Sequence, residues 1–123
     1  KAEFRYAPGK WTVKELLQHI VDTERIMSYR LLCIARKDKT PLASFDEDGY
    51  AAHSAANDRS LASIKEEFIA VRKATDHLIA SLKEDQLSDK GTASNLPVTA
   101  NAIGFIIFGH ILHHKQVLAE KYL

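Results

Sequence analysis

The sequence predicts an all-α protein, and three observations carry that expectation. Apolar residues recur at three- and four-residue steps through three long stretches. Only five glycines and three prolines are present; Pro8-Gly9 precedes the first stretch, and Gly91 and Pro97 bracket the break before the last. No segment sustains the period-two alternation of a half-buried strand, and no internal repeat is apparent. The length of 123 residues, 46% hydrophobic and 27% charged, suits one helical domain spanning 1–123.

The first helix has a marked start. In Thr12-Val13-Lys14-Glu15 the Thr12 hydroxyl can accept from the Glu15 amide while the Glu15 carboxylate reaches back to the Thr12 amide, a capping box. Trp11 and Leu16 are placed as a hydrophobic staple around it. Val13, Leu16, Leu17, Ile20, Met27, Leu31 and Ile34 then mark one face. Arg36, Lys37 and Lys39 collect at the end, where cations suit the helix dipole and solvent. A connection from about Thr40 to Arg59 follows, in which Asp46-Glu47-Asp48 should cap a short helix running through Ala56. The second long helix spans about Ser60 to Leu82, with Leu61, Ile64, Phe68, Val71, Thr75, Leu78 and Leu82 as its seam. The third begins near Thr99, with Val98 and Ile103 as another staple, and continues almost to Leu123. Simple alternation would arrange these helices up and down, and a helix upstream of Lys1 would complete a four-helix bundle.

Composition excludes several classes. Seventeen Lys+Arg against 16 Asp+Glu give a net charge of +1 and no electrostatic reason to expect nucleic acid. The longest apolar run, Ala102 to Gly109, is far short of the ~20 residues that span a bilayer, and no secretory signal is visible. A single cysteine, Cys33, excludes an internal disulfide and suits a reducing, cytoplasmic compartment; it reads as a small buried residue and not as a nucleophile. No CxxC, phosphate loop or nucleophile elbow is present.

The histidines carry the chemistry. In the last helix the core stripe is Ile103, Ile106, Ile107, Val117 and Leu118, and His110 and His114 fall in its middle one turn apart. His19 sits at the edge of the first helix's stripe, with Thr23 one turn below. If the two helices are neighbours, the three imidazoles converge either as hydrogen-bonded core residues or as ligands of one metal with positions left open. His113 and His53 are candidate supporting ligands, and His77 points to solvent. Glu24, about a turn beyond His19, is a candidate general base, although a buried salt bridge accounts for it better. Arg25, Arg30 and Arg72 are loose candidates for an anionic ligand.

Taken in order, these motifs resemble the DinB-like (YfiT-like) family of metal-dependent proteins. The likeness lies in Pro8-Gly9-Lys10-Trp11-Thr12-Val13-Lys14-Glu15 leading to Leu17-Gln18-His19, in Asp22-Thr23-Glu24-Arg25, and in Pro41 with Phe45-Asp46-Glu47-Asp48-Gly49-Tyr50. It continues through Arg59-Ser60-Leu61 and Phe68 to Gly109-His110-Ile111-Leu112-His113-His114 and Glu120-Lys121-Tyr122-Leu123. The resemblance implies an up-down-down-up four-helix bundle whose first helix would precede Lys1. It also implies a metal triad at His19, His110 and His114.

Three neutral imidazoles suit Zn²⁺, Ni²⁺, Fe²⁺ or Mn²⁺ without choosing among them. The resemblance favours a transferase that activates a low-molecular-weight thiol for attack on an electrophilic small molecule. The alternatives are a hydrolase using metal-activated water and a non-catalytic, stress-associated binding module. Phe105, Phe108, Leu112 and Ala119 form a second apolar stripe opposite the histidines, which suits a homodimer or an upstream helix.

Overall fold

The computed structural model describes residues 2–122. Its helices begin where the sequence places their caps. Before α1 (Val13–Ala35), Thr12 Oγ1 accepts from the Glu15 amide at 3.1 Å, and Glu15 Oε1 accepts from the Thr12 amide at 3.0 Å. Ser60 caps α3 (Leu61–Ser81) by accepting from the Ser63 amide. Thr99 caps α4 (Ala100–Val117) by accepting from the Ala102 amide. Each bond satisfies an amide that the first helical turn would otherwise leave without a partner.

Side-chain pairing gives the helix directions. Near its start α1 sends Gln18 to Glu67, near its middle Glu24 to Arg72 and Thr75, and near its end Leu31 and Ile34 pack with Leu78, Ile79 and Leu82. α1 and α3 therefore run parallel. Against α4 the order reverses: Leu31 and Ile34 meet Ala100, Ile103 and Ile107, whereas Val13 and Leu16 meet Val117, Leu118 and Tyr122. The simple up-and-down alternation is thus not what forms. The long helices follow the down-down-up part of the bundle order that the resemblance implies. The reason lies in the connection after α1, which runs back along the bundle and carries the short α2 (Glu47–His53) with it.

That connection departs from expectation in two places. Asp46 stands at the α2 N-cap without a side-chain bond, while Glu47 and Asp48 occupy the first turn, where they favour the positive end of the helix dipole. α2 stops at His53 instead of running through Ala56, because Ala55 takes a left-handed φ of 54° before a separate 3₁₀ turn, Ala56–Asp58. The basic run after α1 is also not merely solvated. Lys37 adopts φ 62°, the Lys37 amide donates to Ile34 O, and the Asp38 amide donates to Cys33 O. This is a Schellman stop made without glycine. Lys37 Nζ then pairs with Asp89 at 3.2 Å, and Lys39 Nζ donates to Lys90 O at 2.8 Å.

A small antiparallel hairpin, β1 (Lys90–Ala93) and β2 (Leu96–Thr99), joins α3 to α4. Periodicity did not predict it, since each strand has four residues. Its turn uses positive φ at both Ser94 (52°) and Asn95 (66°), the primed geometry that matches strand twist. The hairpin lies so close to α1 that a Cβ on Gly91 would fall 2.7 Å from Ile34 Cγ1.

The core gathers Leu31, Ile34, Ala100, Ile103 and Ile107 at one end, with Val98 and Met27 against them. At the other end, Trp11 and Leu17 pack on Val13, Leu16 and Tyr122. Ile106, assigned to the core stripe of α4, is instead 45% exposed. α4 passes into a π-helical turn, Leu118–Tyr122, and Leu123 lies outside the described residues. The second stripe of α4 stands open, with Phe105 72% and Leu112 64% exposed. Among the described residues no helix is long and apolar enough to cross a membrane.

Candidate metal centre

The antiparallel packing of α1 on α4 brings the three histidines together. His19, near the start of α1, is buried; His110 and His114, in the last two turns of α4, are half-buried. His110 Nε2 lies 3.1 Å from His19 Nε2 and 3.0 Å from His114 Nε2. One nitrogen from each ring falls within 4.8 Å of the other two.

These contacts do not close as a hydrogen-bond network. An imidazole nitrogen presents either one N–H or one in-plane lone pair, so His110 Nε2 satisfies one such neighbour and not two. His114 Nδ1 is in addition buried without a partner. Nitrogens about 2.0–2.1 Å from a shared ion stand roughly 3 Å apart, the spacing found around His110. Burial first, and the neighbouring His114 second, push the His19 pKa down to about 4. His110 is likewise lowered to about 4 by burial, then by His19 and His113. Burial, then His110 and His113, do the same to His114. At neutral pH all three rings are therefore uncharged and keep a lone pair to donate. The donor set fits a divalent ion.

Two further contacts hold the His19 ring. Thr23 Oγ1 lies 3.4 Å from His19 Nδ1, and the Trp11 ring packs beside His19 with centroids 4.7 Å apart. Such support on the far ring nitrogen is typical of metal-ligating imidazoles.

A family model for the DinB superfamily matches residues 1–118. The chain belongs to the DinB superfamily. Among solved structures it is similar to YfiT from Bacillus subtilis, described as "a probable metal-dependent hydrolase with an unusual four-helix bundle topology". The TM-score is 0.77 at 18% identity, over 96% of this chain and 71% of that one, a likeness of fold. No curated protein matches the chain.

In this DinB protein a cavity of ≈600 Å³ adjoins the triad through His114 and is lined also by Lys10, Trp11, Asp48 and Tyr122. Sequence reasoning did not single out Lys10, Asp48 or Tyr122 for this role, because folding brings them together from three distant segments. Tyr122 is anchored there by donating its hydroxyl hydrogen to Trp11 O at 2.8 Å.

Other candidates fall elsewhere. His113, His53 and His77 are exposed and do not join the triad, although the His113 ring stands 5.0 Å from that of His114. Glu24 is buried and fully engaged, with Oε1 accepting from Arg72 at 2.9 Å and Oε2 from Thr75 at 2.7 Å. It is an interhelical clamp, not a free base. Arg25 pairs with Glu67, and Arg72 is spent on Glu24 and Asp76. Cys33 is a buried free thiol.

Proposed function

We propose that His19, His110 and His114 hold one divalent ion, Zn, Ni, Fe or Mn, and that the protein is a transferase joining a low-molecular-weight thiol to an electrophilic small molecule. The observation that carries the metal is the His110 Nε2 with two nitrogen neighbours, one more than hydrogen bonding can satisfy. Bound there, a divalent ion supplies Lewis acidity that lowers the pKa of a coordinated thiol or water toward neutrality.

The chain's own residues do the rest. Burial keeps the imidazoles neutral and able to donate. Thr23 and Trp11 hold His19 in register. The cavity beside His114 admits a small molecule between Lys10, Trp11 and Asp48. The resemblance to the DinB-like family favours a thiol over water, and Glu24, the base considered for hydrolysis, is held by Arg72 and Thr75. Hydrolysis is the second reading, favoured by the description of YfiT.

The open face of α4 around Phe105 and Leu112 suits a second copy of the chain, and the lone buried Cys33 suits a cytoplasmic setting. Sedimentation tests the dimer: a monomer at all concentrations removes it.

The deciding experiment is elemental analysis of protein purified without a nickel column, beside His114→Ala. Near-stoichiometric metal in the first and its loss in the second support the centre. Loaded protein is then mixed with glutathione and an aryl halide. If conjugation runs no faster than with the metal-free protein, the transferase reading is withdrawn. No metal in either sample, even after refeeding, makes the histidines core residues and leaves a binding module.

A further inference from the structure

Arg30 is a buried cation that neither the triad nor the helix packing accounts for. It is 7% exposed, its Nη2 donates to Ala43 O at 2.6 Å, and its Nη1 has Met27 Sδ at 3.8 Å, a weak acceptor. Among the described residues no carboxylate lies within ion-pair distance of it. A guanidinium carries five N–H donors and a permanent charge, and a buried charge is normally paired. By contrast, Arg72, also held between helices, has two carboxylates.

The missing counter-charge has a place to sit. Arg30 lines a cavity of ≈260 Å³ between α1, the hairpin and α4, whose other walls include Met27, Leu96, Val98, Ile103 and Ile106. No other lining residue carries a charge or a hydroxyl. Among the described residues Arg30 Nε has no hydrogen-bond partner and is not sealed from open space, and the arginine side chain helps to wall this cavity.

We propose that this cavity binds a small apolar carboxylate, its head on the Arg30 guanidinium and its body among Met27, Val98, Ile103 and Ile106. One cation without a second nearby suits a singly charged carboxylate better than a dianionic phosphate, and the planar fork matches two carboxylate oxygens. At about 30 Å³ per water-sized atom the space holds roughly nine heavy atoms, the size of a six- or seven-carbon acid. The site is separate from the triad, since Arg30 lies eleven residues beyond His19, about 16 Å along α1. It therefore stands whether or not the histidines hold metal.

The test is calorimetric titration of hexanoate into EDTA-treated protein, with hexanamide as the uncharged counterpart. Saturable one-to-one binding of hexanoate is expected, with hexanamide at least tenfold weaker. Ile106→Trp, at a partly exposed wall position, fills the cavity and should weaken hexanoate at least tenfold. Arg30→Gln should do the same, and Arg30→Lys should restore part of the affinity. Because Arg30 also holds Ala43, Ile106→Trp keeps the test decisive if the arginine variants fold poorly. No saturable heat with hexanoate, equal affinity for hexanamide, or unchanged binding in Ile106→Trp would overturn the proposal. His114→Ala should bind hexanoate like the parent protein, which separates this site from the metal reading.

Discussion

Acidifying the metal-free protein should destabilise it well before its carboxylates titrate. His19, His110 and His114 stand at about 4 in the fold, against about 6.5 in an unfolded chain. A histidine lowered in this way contributes stability above its unfolded pKa, and loses it as pH falls from 6.5 toward 4, because only the unfolded chain takes up the proton. From pH 7 to pH 5 linkage gives about 2 kcal/mol for one such group. The triad together should lose about 4 kcal/mol rather than three times the single value, since its mutual repulsion is shared and two rings are partly exposed. Against a typical total of about 5–15 kcal/mol that is a large fraction, equivalent to a fall of roughly 15 °C in Tm. The assay is thermal and urea unfolding of EDTA-treated protein at half-unit steps from pH 7 to pH 5. The control is the His19→Gln, His110→Gln, His114→Gln triple variant. Glu67, lowered chiefly by Arg59 and Arg25 against the effect of burial, loses its contribution only below the ordinary carboxylate range. Asp22, raised by burial, works in the opposite direction. A Tm that does not move between pH 7 and pH 5, or a triple variant that falls as far as the parent, refutes the reasoning.

Three further outcomes follow from the packing and the centre. Glu24→Ala strands the buried side of Arg72 and should cost about 3 kcal/mol in urea unfolding, whereas Glu24→Leu with Arg72→Met should recover most of it. Gly91→Ala sets a Cβ against Ile34 and should cost about 1–3 kcal/mol. Adding Ile34→Ala should cost less than the sum of the two single changes, because the clash partner is gone. Zinc at a hundredfold excess over its Kd should stabilise the parent by about 2.7 kcal/mol and leave His114→Ala unmoved, read as a Tm shift at constant pH.

Local chemistry makes the helix starts and the histidine faces legible in the chain itself. Thr12, Ser60 and Thr99 cap through bonds to residues three positions away, and the i,i+4 spacing of His110 and His114 sets both rings on one side of one helix. These are interactions within a turn or two, so sequence order alone encodes them. The stop of α1 is less legible, since Lys37 takes the left-handed position that glycine usually marks. The hairpin escapes periodicity because four-residue strands give alternation too little length to register.

What only the tertiary structure decided is everything that depends on which helices are neighbours and in which direction they run. The parallel pairing of α1 with α3 turned Glu24 from a candidate base into a clamp on Arg72 and Thr75. The antiparallel pairing of α1 with α4 brought His19 to 3.1 Å from a nitrogen 91 residues away. The closing of the hairpin over α1 and α4 left Arg30 in the wall of an apolar cavity, with no carboxylate within ion-pair distance among the described residues. Periodicity reports that a face will be buried, but the partner that buries it is chosen by packing across the chain, and that choice is not written in the spacing of residues along one helix.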